Sequence, residues 1–182
     1  AVAEQRFLGL FSSNAYMARP QDVPLVRHKV EAVLARSGLK RDSYSGKSLR
    51  HILETLPREE LLQGTEDELF ATAMGILELR QRAHTRLFMR RDRYGRFFTC
   101  MVFVPRDRFN TSVRERIEAL LGSALHAEQI DSSVLMGEAA LARLHIVLRP
   151  KIGDQPNYDL AELENGVAGI VRNWHDEVRD AL

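Results

Sequence analysis

Cysteine occurs only once, at Cys100, so no internal disulfide can form and no cysteine-built zinc cage is available. Lysine is almost as scarce. Four of the 26 basic residues are lysine and 22 are arginine, a bias towards fixed, bidentate contacts. No apolar run approaches the roughly 20 residues a membrane span needs. Residues Ala1–Arg6 lack the basic-then-apolar pattern of a signal peptide, so a cytoplasmic location is expected by elimination. The same end lacks an initiator Met and enters an apolar run within six residues, as expected of a piece excised from a longer chain. A formal net charge of +1 gives no global push towards nucleic acid or an acidic membrane.

Chemical signatures are missing too. No G-x-G-x-x-G, P-loop, G-x-S-x-G or H-E-x-x-H occurs in the 182 residues. The six histidines (28, 51, 84, 126, 145 and 175) stand singly, with no two at ligand spacing. Cys100 sits mid-strand between Thr99 and Met101, where a thiol packs as a small hydrophobe. No catalytic residue, metal or bound cofactor is therefore expected in this chain.

What is present is an ordinary globular composition, 45% hydrophobic and 28% charged, with charge unevenly spread. Residues 80–116 hold eleven Arg against Asp92, Asp107 and Glu115, whereas 154–182 hold seven acids against Arg172 and Arg179. Phe7–Phe11 reads as a buried strand. Val23, Val26, Val30, Val33 and Leu34 recur at helical spacing until Gly38. After a loop with Ser43, Ser45 and Gly46, a second helix carries Leu49, Ile52, Leu53 and Leu56 up to Pro57. Thr65 and Glu68 form a capping box for a third, with Leu69, Ala73, Ile76 and Leu77 on its buried stripe.

The period then changes from 3.6 to 2. Arg86–Arg90 and Phe97–Val104 predict a hairpin whose polar turn, Arg91–Arg96, contains Asp92 and Gly95. Ser112 and Glu115 read as a second capping box, opening a helix with Val113, Ile117, Leu120, Leu121 and Ala124 on one face. Strands follow at Glu128–Met136 and Leu141–Arg149, separated by Gly137-Glu138-Ala139. Beyond the linker Pro150–Pro156, a helix over 159–182 aligns Leu160, Leu163, Val167, Ile170, Trp174 and Val178, with no partner evident in the chain.

The expected fold is α+β, a ferredoxin-like antiparallel sheet with helices on one face, preceded by a helical segment and followed by an amphipathic helix. The expected division is 1–83 (strand and three helices), 84–150 (strand–strand–helix–strand–strand) and 151–182 (linker and helix). Along Leu141–Arg149, Arg143, His145 and Arg149 share one face, which suits a small carboxylate or an acidic protein surface. The exposed stripe around Trp174 is expected to mark a contact with a second copy or with other parts of a longer chain. A second reading starts from Gly95–Phe103, which is similar to the central-strand signature of RNA-recognition motifs. It would place Arg90, Arg96, Phe97 and Phe98 against RNA, although nucleic acid is not the expected partner.

Several strings resemble a known family. They are Arg6–Phe11, His51–Leu61, Arg86-Leu87-Phe88-Met89-Arg90-Arg91-Asp92-Arg93-Tyr94-Gly95-Arg96-Phe97, Cys100–Thr111 and Leu141-Ala142-Arg143-Leu144-His145. Together they resemble the non-catalytic N-terminal region of the large bacterial NAD-specific glutamate dehydrogenases. The resemblance implies ACT-like domains with helical linkers, NAD bound elsewhere in the parent, and a role in regulation or oligomer assembly. It implies as partners a second copy, the remainder of the parent chain and a small amino-acid effector. Asp22-Val23-Pro24 resembles the start of the Asp-x-Pro-Gly turn of regulatory ACT domains, with Leu25 in place of the glycine, so Asp22 joins the candidate effector residues.

Overall fold

The computed structural model describes residues 9, 12–80, 82–136 and 140–180, with side chains up to 172. The strand expected at Phe7–Phe11, the turn at Gly137–Ala139 and the side chain of Trp174 lie outside the described residues. The chain divides into two compact units, Ala1–Leu77 and Glu78–Leu182.

The first unit is helical: α1 (Ser13–Met17), α2 (Pro24–Arg36), α3 (Tyr44–Thr55), α4 (Arg58–Gln63) and α5 (Glu66–Leu79, whose last two residues belong to the second unit). The three expected helices are α2, α3 and α5, and their apolar stripes are buried, from Val26, Val30 and Val33 through Leu49, Ile52 and Leu53 to Leu69 and Ala73. Helix α3 starts earlier than its apolar pattern suggests. Ser43 is its N-cap and its hydroxyl accepts from the Gly46 amide at 3.0 Å, drawing the expected loop residues into the first turn. The capping box of α5 forms as expected: Thr65 N–H donates to Glu68 Oε2 (2.8 Å) and Glu68 N–H to Thr65 Oγ1 (3.2 Å). Short α4 is too brief to show a helical period. Its C-terminal carbonyls are held by the Lys29 ammonium of α2, which donates to Leu61 (3.2 Å), Leu62 (2.9 Å) and Gly64 (2.7 Å).

The second unit contains β1 (Arg86–Arg91), β2 (Phe98–Pro105), α6 (Thr111–Ala124), β3 (Ala127–Leu135), β4 (Leu141–Pro150) and α7 (Leu160–Asp180). All neighbouring strands are antiparallel, in the order β1-β2-β4-β3. Alternation decides the faces. Phe98, Cys100, Val102 and Val104 of β2 and Leu144, Ile146 and Leu148 of β4 point into one core, where Cys100 packs as expected. Val113, Ile117 and Leu121 of α6 close that core. The cap of α6 differs from the expected Ser112–Glu115 box. The helix begins two residues earlier, so Asn110 occupies the capping position and its side-chain oxygen accepts from the Val113 amide at 3.0 Å.

Helix α7 is the larger departure. The sequence offers no partner for its stripe, yet Leu163, Val167 and Val171 join the same core as α6 and the sheet. Gly166 marks the helix–helix approach, since a Cβ there would stand 2.9 Å from Leu120 Cδ2 of α6. Glu164 ties α7 to the first strand, accepting from the Leu87 amide (3.1 Å) and pairing with Arg86 (3.1 Å). Taken cyclically from β2, the unit runs strand–helix–strand–strand–helix–strand, the ferredoxin-like succession, with β1 as the closing strand. Helix α7 thus serves as the second helix of that fold rather than as an appendage beyond residue 150.

A carboxylate placed in this core has neither solvent nor partner. Ile117→Asp and Val167→Asp are each expected to cost about 4 kcal/mol and lower the melting temperature. An unchanged melting temperature for Val167→Asp would remove α7 from the core.

Candidate functional site

Three features of the second unit bear on function: the tip of the β1–β2 hairpin, the face of the sheet turned away from α6 and α7, and a cleft at one end of the sheet.

At the hairpin tip the chain reverses through a segment closed by Asp92 N–H to Phe97 C=O (2.9 Å) and Gly95 N–H to Asp92 C=O (2.8 Å). Gly95 takes φ +68°, a conformation open to glycine at little cost. Asp92 is only 7% exposed, and its carboxylate accepts from the Tyr94 and Arg96 amides (3.2 and 3.3 Å) and from Arg96 Nε (2.8 Å) and Nη2 (3.2 Å). The side-chain bond from Arg96 outweighs burial and holds the Asp92 carboxyl below its ordinary value. The guanidinium of Arg96 also lies 5.2 Å from the Tyr94 ring and 5.8 Å from the Phe97 ring. The arginine-rich tip is therefore ordered around one buried acid.

Phe98 cannot serve as a stacking platform for RNA. Its ring lies on the core side of the sheet, fully buried, and meets Tyr158 edge to face at 5.6 Å. That removes one of the two aromatics on which the RNA reading depends.

The β4 residues Arg143, His145 and Arg149 share the face away from the helices, alternating with buried Ala142, Leu144, Ile146 and Leu148. Register places Arg143 beside Phe103 and His145 beside Met101, and Phe103 meets Phe88 of β1 edge to face at 5.7 Å. Burial depresses the Arg143 guanidinium below its ordinary value. Arg149 is paired with Asp131 of β3. Asp22 belongs to the first unit, in a 3₁₀ turn over Pro20–Asp22, and is exposed.

The cleft, about 540 Å³, opens where β2 ends and β4 begins. His84, Thr85, Asp107, Arg108 and Arg172 supply its polar lining, and Pro105 and Val171 of α7 contribute apolar surface. The Arg106 amide donates to the Ala140 carbonyl at 2.9 Å, joining the two strand ends beside it. It thus presents two guanidiniums, a carboxylate and an imidazole within one recess. No sequence motif announces this group, because its members come from three separate segments of the chain. Among the described residues no cluster of His, Cys, Asp and Glu is placed to hold a metal ion, and no helix is long and apolar enough to cross a membrane.

Comparison with known proteins matches residues 86–175 to the glutamate dehydrogenase ACT2 domain and residues 23–82 to glutamate dehydrogenase helical motif 1. The first match ends within α7, in keeping with that helix being part of the sheet's fold. A protein named NAD-specific glutamate dehydrogenase from Halomonas elongata is 41% identical over 99% of this chain. Proteins of the same name from Pseudomonas aeruginosa and Mycobacterium tuberculosis are 39% and 31% identical over 97% and 98% of it. The chain spans only 11–12% of the length of these relatives. No solved structure matches it.

The tip makes a pH prediction. A carboxyl whose folded value is depressed stabilises the fold above its unfolded value, and that contribution is lost as pH falls through the folded one. Wild type is expected to melt above Asp92→Asn at pH 7, with the gap closing as the pH is lowered through and below about 4. A gap independent of pH would show that the Asp92 charge contributes nothing.

Proposed function

This chain belongs to the NAD-specific glutamate dehydrogenases, and from that premise we propose that it is a non-catalytic regulatory and assembly segment of such an enzyme. The observation that carries this reading is the pairing of an ACT2 domain and a helical motif with the absence of a dinucleotide fingerprint from the sequence. In the parent, L-glutamate would be oxidatively deaminated to 2-oxoglutarate and ammonium while NAD is reduced to NADH. The NAD and the hydride transfer belong to other parts of that cytoplasmic enzyme. This segment supplies contacts to a second copy and to the remainder of the parent, and it binds an amino-acid effector.

The cleft at the sheet end suits that effector. An α-amino acid carries a carboxylate and an ammonium a few ångströms apart, and the cleft offers Arg108 and Arg172 to the first and Asp107 to the second. Occupation of a site near Val171 would bear directly on α7, and through it on the core. On its charge, the face carrying Arg143 and His145 suits an acidic surface of the parent. Asp22, exposed in the first unit, belongs to the same class of contact.

A thermal-shift screen against amino acids tests the effector reading. At a hundredfold excess over its dissociation constant, an effector is expected to raise the melting temperature by about 5 °C or more. Arg108→Ala and Arg172→Ala should each abolish most of that shift while leaving the ligand-free melting temperature near wild type. Purified chain should reduce no NAD with glutamate. An unresponsive wild type would remove the effector, and genuine turnover would remove the non-catalytic assignment.

A further inference from the structure

The outer edge of β1 is met by a carboxylate at one point and open at the next. Strand β1 pairs only with β2, and the Leu87 amide turns away from that partner to donate to Glu164 Oε1 of α7 at 3.1 Å. The same carboxylate pairs with Arg86. In an extended chain, alternate residues direct their backbone groups to the same side. The amide of Thr85, two residues before Leu87 and about 7 Å along the strand direction, therefore faces outward as well. Among the described residues it makes no hydrogen bond.

Helix α7 passes this edge one turn at a time. Glu164 meets Leu87, and the corresponding position on the next turn is Ala168, whose methyl group offers a donor nothing. The space left there is the cleft, which Thr85, Ala168 and Arg172 all line. The recess thus sets an open edge amide beside the guanidiniums of Arg108 and Arg172, the donors a carboxylate needs.

The place of Thr85 in the chain gives such a contact a consequence. The match to helical motif 1 ends at residue 82 and the match to the ACT2 domain begins at 86. Ala83, His84 and Thr85 are the junction between them, and all three line the cleft. The bonds on either side of the junction are local. The Arg82 amide donates to the Glu78 carbonyl at 3.2 Å, His84 Nδ1 lies 2.8 Å from the Arg82 carbonyl, and the ladder with β2 starts only at Arg86.

We propose that the carboxylate of an amino acid bound in the cleft accepts the Thr85 amide, repeating one turn along α7 the contact that Glu164 makes at Leu87, and so fixes the 83–85 junction. The proposal rests on the effector reading given above and supplies its route of action. Occupancy extends the satisfied edge of β1 into the segment that carries the helical motif.

Ala168→Glu builds the missing carboxylate into α7 and reads the contact without a ligand. Relative to wild type, its Thr85 amide is expected to exchange at least about tenfold more slowly by NMR, and trypsin to cut the Arg82–Ala83 bond more slowly in step. Each standard amino acid is then added in turn to the wild-type 182-residue chain. One that raises the melting temperature should produce the same two changes, and its decarboxylated amine neither. Ala168→Glu should no longer respond to that amino acid, because its own carboxylate fills the place. An amino acid that raises the melting temperature through Arg108 and Arg172 without slowing the Thr85 amide would overturn the contact and leave the effector reading standing. An unchanged Thr85 amide in folded Ala168→Glu would overturn its placement opposite α7; should that variant not fold, the wild-type arm decides alone. A slowed Thr85 amide with unchanged cutting after Arg82 would overturn the fixing of the junction. A wild type that answers to no amino acid would overturn the effector reading and this proposal together.

Discussion

The second unit depends on burial of the α7 stripe. Four antiparallel strands with α6 alone would leave much of the core-side apolar surface, from Leu87 to Phe98, without cover. Leu163, Val167 and Val171 supply that cover, and Glu164 fastens the helix to the edge strand it overlies. Each buried aliphatic side chain contributes about 1.5–3 kcal/mol relative to exposure, so losing the stripe would forfeit a sum comparable to the stability of a typical domain. Gly166 leaves room for the Leu120 side chain of α6, whose Cδ2 would have to shift to admit a Cβ there.

That packing also sets where function can reside. By covering β1, α7 leaves β3 as the edge with accessible backbone and apolar side chains. Its residues Ala168, Val171 and Arg172 line the cleft at the sheet end. The cleft and the β3 edge thus border one core, with α7 lining the first and α6 packed beside the second. A ligand that stiffened α7 would act on elements shared with the β3 edge. The physical route is packing, with no requirement for a dedicated chain of polar contacts.

The arginine-rich hairpin shows the limits of charge counting. Eleven arginines in 37 residues suggest a broad cationic surface. In the fold they are put to separate uses: Arg96 holds a buried carboxylate, Arg86 joins α7, and Arg91 lies 5.7 Å from the Phe98 ring. Arginine's planar, multiply donating head makes such fixed roles possible where lysine's would not.

The sequence by itself determined the α+β class, the β1–β2 hairpin, three of the helices in the first unit, the α5 capping box and the core face of β4. These depend on local period and capping chemistry, which nearby residues encode. It also carried the family resemblance, in strings that the matches to the ACT2 domain and helical motif 1 bear out. Helix α4 escaped because six residues hold too little period, and the α6 cap was displaced because Asn110 and Ser112 are both acceptable capping residues. Only the tertiary structure decided that α7 completes the sheet's second helix, because its partners Leu87, Ile117 and Leu144 lie 20 to 80 residues earlier. Distance along the chain hid the cleft in the same way, since 83–85, 105–108 and 168–172 meet only after the strands pair. Periodicity shows that a residue has a buried face; which face covers it is decided when distant elements compete for the same apolar surface.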